Sequence, residues 1–433
     1  MELKLSNNYN PIIVLDDDPT GTQTVHSVPV ITEWSVEAIN NEFKLQTPLF
    51  YILTNSRALV ASEANNLGKE IGRNLKKLNQ NVWIISRGDS TLRGHFPNEI
   101  DALVAGLAWK NDYLTILIPA FFEGNRFTKN DIHYLKEGEN WIPVGETPYA
   151  KDKTFGYKSS NLKDWVEEKT KGKIKKEEVA SISIDNLEND SDAVILEIIG
   201  KATKVLIINA MNQSHLDKFS EIVKKSNRRI IFRTGASFVS SFGQISKKPL
   251  LQKTELLSSE SKNGGLIIVG SHVPKSTAQL NELLKTDITP LEFEVETFLG
   301  NSANYLTGLS HSINSFLSNN QDVVIFTSRN LVATQNEEES LKLSIRVSEG
   351  MIKLVQNLSV QPRFFIAKGG ITSSDLATKG LGVKRAIVLG QIAAGIPVWK
   401  LGTEAKFPNM TYTVFPGNVG QNETLREIYE IYK

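Results

Sequence analysis

Short apolar runs recur along the chain and are separated by longer stretches with helical spacing. Each run is four to six residues long and rich in Val, Ile and Phe. The runs read PIIVL, LFYIL, NVWII, YLTILI, VLIIN, RIIF, GLIIV, QDVVIF, RFFIA and IPVWKL. Continuous runs of this length predict strands buried on both faces, as in a parallel sheet. The spacing over 61–78 and 336–358 predicts helices, so the alternation indicates an α/β fold with mostly parallel sheets.

Two domains are expected because the 433 residues exceed the roughly 250–300 residues that one hydrophobic core usually serves. The segment 243–265 is polar, rich in Ser and Lys, and ends in paired glycines. We interpret it as a linker or exposed crossover. The sequence therefore predicts an N-terminal domain over residues 1–245 and a C-terminal domain over residues 260–433.

Charge and composition narrow the class of protein. A formal net charge of +1 provides no global field for nucleic acid. The chain has no cysteine, which excludes disulfides, thiolate nucleophiles and zinc–thiolate sites. No secretory signal and no window of about 18 apolar residues is found. We expect a cytoplasmic protein with no membrane or nucleic-acid partner, for which a homodimer is allowed.

The first chemical motif, VLDDDPTGTQT, directly follows an apolar run. Ligands of open α/β sheets bind at the carboxyl ends of strands, and three consecutive carboxylates there crowd like charges. Asp16, Asp17 and Asp18 are candidates to hold a metal, orient hydroxyl groups or take a proton. Gly21 would let the backbone approach a ligand. The structural alternative is an Asp-rich turn formed by Pro19 and Gly21.

The second motif, ISRGDSTLRGHFPNEI, also begins at a predicted strand end. Arg87 and Arg93 carry planar donor groups that suit a carboxylate or a phosphate. Asp89 and Ser90 add acceptors and a hydroxyl group. The alternative is that these arginines are merely solvated.

The third segment, 118–138, mixes polar and aromatic residues after a predicted strand. We interpret it as a long loop, and such loops are often functional. Its polar side chains would line a pocket: Asn125, Arg126, Thr128, Asp131 and His133.

Three glycine turns in the second half stand where a strand gives way to a helix. Gly270 and Ser271 follow GLIIV, Gly369 and Gly370 follow RFFIA, and Gly417 precedes the last helix. Backbone N–H groups at such turns bind phosphate. The Walker pattern and a clean GxGxxG are absent. An acidic–basic cluster in one half and anion-binding turns in the other fit phosphoryl transfer.

The ordered motifs resemble the four-carbon acid sugar kinase family, which includes kinases for threonate, erythronate and 3-oxo-tetronate, over nearly the whole chain. The matching pieces are DDDPTGTQT, SRGDSTLRGHFPNEI, PAFFEGNRFT with VGETPYAKD, RTGASF, GSHVPKST, KGGITSSD and FPGNVG. The resemblance implies a sugar-acid domain followed by an ATP domain, with the active site in a cleft between them. It implies ATP and Mg²⁺ as cofactors and leaves the metal ligands unassigned.

The resemblance implies that Asp17, Asp18, Arg87 and Arg93 face the substrate, and that Ser271, the turn 369–372 and Gly417 face the nucleotide. With the neighbouring residues of the same motifs, two sets of site residues are expected. The substrate set is Asp17, Asp18, Thr20, Gly21, Arg87, Asp89, Ser90 and Arg93. The nucleotide set is Ser271, Gly369, Gly370, Ile371, Thr372, Gly417, Asn418 and Gly420. The expected activity is phosphorylation of a terminal hydroxyl, with Asp17 or Asp18 acting on that hydroxyl and Arg93 or Arg87 pairing with the substrate carboxylate.

This chain departs from the family pattern at two places. Members often read KSGNFG where this chain has FPGNVG, so a lysine is replaced by Phe415. Members also commonly read KTDST where this chain has SRGDST. The identity and stereochemistry of the acid are left open.

Two other functions remain open at this point. VLDDDPTGT loosely matches the haloacid-dehalogenase phosphatases, in which Asp16 would be the nucleophile and Asp18 the acid–base. A non-catalytic sensor of a sugar acid or nucleotide is the other.

Overall fold

The structure is a computed structural model that describes residues 10–110, 112–257, 262–271, 273–328 and 337–433. The chain divides into two compact units, Met1–Lys247 and Lys248–Lys433. Each unit has its own α/β architecture, and the expected fold class is confirmed.

The first unit is built on a parallel sheet flanked by helices. Its strands are β1 (Ile12–Asp16), β2 (Val28–Ile31), β3 (Leu49–Leu53), β4 (Trp83–Arg87), β5 (Leu114–Ile118), β6 (Arg126–Lys129), β7 (Ile132–Glu137), β8 (Asn140–Pro143), β9 (Val179–Ile182), β10 (Val205–Ile208) and β11 (Ile230–Thr234). Its helices are α1 (Val36–Lys44), α2 (Ala61–Leu78), α3 (Asn98–Leu107), α4 (Leu162–Lys169), α5 (Ile184–Asn189), α6 (Asp192–Lys201), α7 (Gln213–Val223) and α8 (Ala236–Phe242). The helix predicted over 61–78 is confirmed by α2.

The strand order in this unit is β2-β3-β1-β4-β11-β5-β10-β9, and the pairs β1–β3, β1–β4 and β4–β11 are parallel. The register sets Asp16 beside both Leu53 and Arg87, and Arg87 beside Thr234. β1, β3 and β11 are buried along their whole length. α2 and α3 pack on the sheet with apolar side chains such as Ile71 and Leu103. The carboxyl ends of four strands therefore meet at one edge.

The segment 118–138 is not a long loop. It forms β6 and β7, which pair antiparallel with each other, and β7 also pairs antiparallel with β8 in a separate three-stranded sheet. His133 and Thr128 are fully buried within it. Burial alternates along β7, where His133 and Leu135 are buried and Ile132, Tyr134 and Lys136 are half-buried. This is the period-two pattern of a strand with one buried face.

The second unit contains β12 (Leu266–Val269), β13 (Thr289–Phe293), β14 (Val323–Thr327), β15 (Phe365–Lys368), β16 (Arg385–Ala393), β17 (Ile396–Leu401) and β18 (Thr411–Phe415). Its helices are α9 (Lys253–Leu256), α10 (Pro274–Leu283), α11 (Val295–Gly300), α12 (Ser302–Ser318), α13 (Glu337–Asn357), α14 (Gly370–Asp375) and α15 (Thr424–Tyr432). Helix α13 confirms the helical spacing predicted over 336–358, except that it ends one residue earlier, at Asn357, and that residue 336 lies outside the described residues.

The strand order in the second unit is β13-β14-β12-β15-β18-β17-β16. The first four pairs are parallel, whereas β17 pairs antiparallel with both β18 and β16. The run IPVWKL is thus a strand, but it is not parallel to its neighbours. A continuous apolar run signals burial on both faces and does not by itself fix strand direction.

Part of the segment interpreted as an exposed linker packs on the second unit. Leu251 and Leu256 are buried in its core with Ile392 and Tyr429. The Leu251 N–H donates to the Gln391 carbonyl at 2.8 Å. The polar composition of the segment thus concealed two leucines that pack into the core of the second unit. Among the described residues, no helix combines the length and apolar character needed to cross a membrane.

Candidate functional site

The carboxyl edge of the first unit's sheet gathers buried charges of both signs. Asp16 ends β1 and Asp17 directly follows it, Arg87 ends β4, and Arg233 lies one residue before the end of β11. All four residues are at most 5% exposed. These side chains lie close together because β1, β4 and β11 are parallel and end in register.

Asp16 has a structural role, because its carboxyl group is paired with Arg87 and covered by the backbone at Gly21. Arg87 Nη1 lies 3.3 Å from Asp16 Oδ1, and a Cβ at Gly21 would lie 2.0 Å from both carboxyl oxygens. Burial raises the pKa of Asp16 to about 8, although Arg87 acts in the opposite direction. Gly21 is required here to let its backbone cover the carboxyl group. A covalent nucleophile needs an approachable oxygen, so this arrangement argues against the phosphatase interpretation.

Asp17 differs from its two neighbours in how its buried carboxyl group is bonded. It is 2% exposed, and neither of its oxygens has a hydrogen-bond partner within the described part of the chain. Arg57 Nη2 and Arg87 Nη1 are 3.7 and 3.9 Å from its Oδ1. Burial raises the pKa of Asp17 above its usual value, despite the opposing attraction of Arg57. A buried polar group is normally satisfied, so this one is suited to accept a bond from a ligand.

Asp18, in contrast, is fully engaged. Its Oδ1 accepts bonds from the Thr20 N–H at 2.8 Å and the Thr20 hydroxyl at 2.5 Å. Its Oδ2 forms a close ion pair with Arg57. Burial favours the neutral acid, but Arg57 and the bonds from Thr20 outweigh it and lower the pKa of Asp18. Asp18 and Thr20 therefore fix the turn that presents Asp17.

The loop after β4 carries a second pair of opposite charges. Arg93 Nε donates to Asp89 Oδ2 at 2.7 Å, and Arg57 Nη1 lies 3.6 Å from Asp89 Oδ1. Burial opposes ionisation of Asp89, but Arg57 and Arg93 hold its pKa well below the usual range. The Arg93 guanidinium also lies 5.0 Å from the Tyr149 ring centroid and 3.6 Å from Asp152 Oδ2. Arg57 is thus shared among three carboxylates.

Ser90 joins this loop to the three-stranded sheet. Its carbonyl oxygen contacts His133 Nε2 at 2.8 Å, while His133 Nδ1 contacts the Thr128 hydroxyl at 2.9 Å. Burial lowers the pKa of His133 to about 4, so the ring is neutral at pH 7. His133 is a structural residue, because both ring nitrogens are committed within the protein.

Arg233 supports the site from behind. It lies 3.5 Å from Glu99 on α3, and its Nη2 donates to the Arg93 carbonyl at 3.4 Å. A Cβ at Gly88 would lie 1.9 Å from Arg233 Nη1, so only glycine leaves room for the guanidinium there. Glu99 also accepts a bond from the Ser56 hydroxyl at 2.6 Å.

Sequence reasoning did not select Arg57, Arg233 or Glu99 as site residues. Arg57 follows the run LFYIL by four residues, and Arg233 directly follows the run RIIF. The rule applied to Asp17 and Arg87, that polar residues at strand ends meet, would have found both arginines. Glu99 left no comparable signal, since it is one of many acidic residues on a helix.

The predicted glycine turns of the second unit come together at the carboxyl ends of β12, β15 and β18. A Cβ at Gly417 would lie 3.3 Å from Ser271 Oγ, and one at Gly369 would lie 3.4 Å from Ser271 Cβ. A Cβ at Gly270 would lie 2.4 Å from Thr372 Oγ1. Gly369 has φ 123°, and α14 begins at the next residue. Three turns separated in sequence thus form one cluster.

The remaining predicted nucleotide residues lie at the margin of this cluster. Ile371 is 60% exposed at the start of α14, one residue after Gly370. Asn418 is exposed, and Gly420 packs against Thr424 at the start of α15. Sequence spacing located the turns but did not separate their inner residues from their outer ones.

Lys368, which precedes the Gly369–Gly370 turn, was not selected from the sequence. It is completely buried, and its ammonium donates to the carbonyls of Pro416 and Gly417 at 3.1 and 3.4 Å. Nζ lies 3.8 Å from the centroid of the Phe415 ring. Burial, with repulsion by Lys275, lowers the pKa of Lys368 to about 7. The sequence did contain a signal for Lys368, since a lysine directly follows the apolar run RFFIA and precedes a glycine turn.

Neither cluster is a ready-made metal centre. Among the described residues, no group of three or more His, Asp or Glu side chains is placed to hold a metal ion. A divalent ion would have to take much of its coordination from a bound ligand and water, which is usual for Mg²⁺ with nucleotides.

Two family models match the chain. Residues 12–242 match a sugar-binding N-terminal domain, and residues 266–425 match a nucleotide-binding C-terminal domain. The first contains the acidic–arginine cluster, and the second contains the cluster of glycine turns. No curated protein matches the sequence.

Solved structures share the fold at low sequence identity. Protein HI1011 of Haemophilus influenzae, from the DUF1537 family, superposes with a TM-score of 0.66 at 17% identity, covering 97% of this chain and 100% of its own. A Salmonella typhimurium LT2 protein provisionally named a tRNA synthase gives a TM-score of 0.72 at 15% identity, covering 98% and 100%. These likenesses concern the fold alone.

Proposed function

Because the chain belongs to the four-carbon acid sugar kinase family, in which a sugar-binding domain precedes a nucleotide-binding domain, we propose that it is an ATP-dependent sugar-acid kinase. The acceptor is a four-carbon acid of the threonate, erythronate or 3-oxo-tetronate type. The terminal hydroxyl attacks the γ-phosphorus, the bond from that phosphorus to the bridging oxygen of ADP breaks, and the hydroxyl proton passes to the enzyme.

Asp17 is the general base in this proposal, and its unsatisfied carboxyl group is the observation that carries it. Its oxygens have no hydrogen-bond partner among the residues that the structure describes, whereas Asp18 is bonded to Thr20 and Arg57 and Asp16 is covered by Gly21. A base must reach the hydroxyl by a hydrogen bond. The sequence left Asp17 and Asp18 as equal candidates, and the geometry favours Asp17.

Arg93 and Arg57 are the proposed partners of the substrate carboxylate. Their side chains are 27% and 17% exposed, whereas Arg87 is 5% exposed and paired with Asp16. A guanidinium that retains donors toward solvent can bind a carboxylate through two parallel bonds. Arg87 then contributes positive charge to the site without binding the substrate, and its ion pair with Asp16 joins β4 to β1.

The glycine cluster of the second unit is the proposed phosphate site. Backbone N–H groups at Gly370 and Gly417, with the neighbouring Ser271, are the proposed donors and add no bulk. The Gly369 N–H is not among them, because it donates to the Phe415 carbonyl. Mg²⁺ bound with ATP would neutralise charge on the phosphates. This chain's own part is to hold the polyphosphate in a fixed position.

The test is an ATP-consumption assay with threonate, erythronate and their 3-oxo forms as acceptors. We expect ADP to appear only with an acceptor, together with a phosphomonoester of that acceptor detected by phosphorus NMR. ADP release that does not depend on any acid would contradict the proposal. Hydrolysis of an aryl phosphate without ATP would indicate a phosphatase, and binding of acid and ATP without turnover would indicate a sensor.

A further inference from the structure

Lys368 is a buried lysine for which the described part of the chain provides no anionic partner. Its side chain is excluded from solvent, and within the described residues no carboxylate forms an ion pair with it. The charged group that acts on its ammonium is Lys275 on α10, which repels it. Asp375 on the adjoining helix α14 is committed to Lys379 at 2.8 Å. A buried charge is normally paired, so the missing anion requires an explanation.

The ammonium lies between two of the glycine turns. Lys368 is the cross-strand partner of Phe415, and the Gly369 N–H donates to the Phe415 carbonyl at 2.8 Å. The bonds from Lys368 to the carbonyls of Pro416 and Gly417 fix the second turn against the first. On its other side, Gly417 accepts a bond from the Ser276 hydroxyl at 3.1 Å. Lys368 thus positions Gly417 next to Ser271.

We infer that Lys368 is a positioning residue that links nucleotide binding to proton uptake: it takes up a proton when a polyphosphate occupies the Ser271–Gly369–Gly417 cluster. This inference rests on the proposed nucleotide site. A bound polyphosphate supplies the negative charge that the free protein lacks, which favours the ammonium form. The neutral amine still donates to the Gly417 carbonyl in the empty site, so the turn is held in both states.

The sign of the linkage follows from the pKa of Lys368, which burial lowers to about 7. Above that pH the free protein holds a neutral amine, while the nucleotide complex holds the ammonium. Binding therefore absorbs a proton, and affinity falls as pH rises, by up to about tenfold per pH unit. Below pH 7 the side chain is charged in both states and the effect disappears.

The experiment is calorimetric titration of the full chain with ADP at pH 8, in two buffers that differ in ionisation enthalpy. We expect the wild type to absorb most of one proton per ADP, and its dissociation constant to rise between pH 7 and pH 9. Lys368→Met should bind ADP more weakly, with no proton uptake and no such pH dependence. Lys368→Arg keeps its charge at every pH tested, so it should also show no uptake while retaining affinity at pH 9.

Lys224→Met is the matched control. Lys224 in the first unit also donates to a backbone carbonyl, that of Phe242 at 2.7 Å, and lies 4.6 Å from the same residue's ring centroid. Its pKa is likewise lowered by burial. This variant should absorb a proton on binding ADP as the wild type does.

Three results separate the inference from the proposed function. If the wild type does not bind ADP, the nucleotide site itself is wrong. If the wild type binds ADP without proton uptake between pH 7 and pH 9, the role of Lys368 is wrong and the kinase proposal stands. Uptake that persists in Lys368→Met would also overturn the role. If Lys368→Met fails to fold, Lys368→Arg and the wild-type titration still test whether Lys368 takes up a proton when ADP binds.

Discussion

In both units the candidate site lies at the carboxyl ends of the sheet strands, but the two sites consist of different chemical groups. In the first unit, Asp17 lies among Arg57, Arg87 and Arg233, each of which has at least one further acidic or backbone partner. In the second unit, backbone turns converge and one buried lysine lies between them. The first site is defined by side-chain charge, and the second by backbone conformation.

This difference matches what each site would bind. A small hydroxy acid is distinguished from its isomers by a few hydrogen bonds, and buried unsatisfied polar groups give large penalties for the wrong ligand. A nucleotide polyphosphate presents the same charge in every reaction, so backbone N–H groups suffice. We therefore expect substitutions in the first unit to affect acceptor chemistry, and those in the second to affect nucleotide binding.

The largest expected effect is that of Asp17→Asn. Loss of a general base typically costs 10²–10⁴-fold in rate, so we expect turnover to fall by about 10³-fold while the dissociation constant for ADP is unchanged. Asp18→Asn should cost less, because Asp18 acts through Thr20 and Arg57. Asp101→Asn on α3 is the control and should retain turnover. Steady-state kinetics with calorimetry would measure this, and full activity of Asp17→Asn would exclude it as the base.

The second prediction concerns the pH dependence of stability in the second unit. Lys368 has a pKa of about 7 in the folded protein and 10.5 as its ordinary value. Between these values the unfolded chain binds more protons than the folded one, so stability rises with pH. Relative to Lys368→Met, the wild type should gain a few kcal/mol between about pH 7 and pH 10.

Urea denaturation of the wild type and of Lys368→Met between pH 7 and pH 10 would measure the difference in their free energies of unfolding. Other titrating groups are common to the two proteins, so their contributions cancel in this difference. A constant difference between wild type and Lys368→Met would show that the lysine remains charged throughout. Lys224→Met, compared in the same way, should show a smaller dependence, because Lys224 is only part-buried.

Local sequence predicted the elements better than the partners. Ten apolar runs are strands, and the strand-end rule located Asp17 and Arg87 because each lies in a dense polar motif. Arg57 lies four residues after β3, and Arg233 is the next-to-last residue of β11. Their convergence on Asp17 depends on β1 lying between β3 and β4, and on β11 lying beside β4. Strand order is a property of the assembled sheet, which local patterns do not contain.

The departure at FPGNVG shows the same limit. The sequence identified a lysine missing at Phe415, and no local pattern indicated a replacement. The register of β15 and β18 sets Lys368 directly across from Phe415. A lysine from the neighbouring strand therefore lies beside this turn. Only the pairing of strands distant in sequence reveals it.

The third prediction tests how tightly the first site is packed. Gly88→Ala would place a methyl group 1.9 Å from Arg233 Nη1, and overpacking of this kind typically costs about 1–3 kcal/mol. We expect lower stability together with reduced kcat, because Arg233 holds the Arg93 carbonyl. Thermal unfolding and kinetics would measure both. Gly200→Ala on α6 meets no atom within 4 Å and should be neutral or stabilising.

The smallest expected effect concerns the ring beneath Arg93. Tyr149→Leu removes a cation–π contact, which is worth about 0.5–1 kcal/mol at an exposed site, so the KM for the acid should rise about two- to fivefold. Tyr149→Phe keeps the ring and should keep the KM. Trp109→Leu removes a similar ring from beneath Arg229 and should leave the KM unchanged. An unaltered KM in Tyr149→Leu would mean that Asp89 and Asp152 alone orient Arg93.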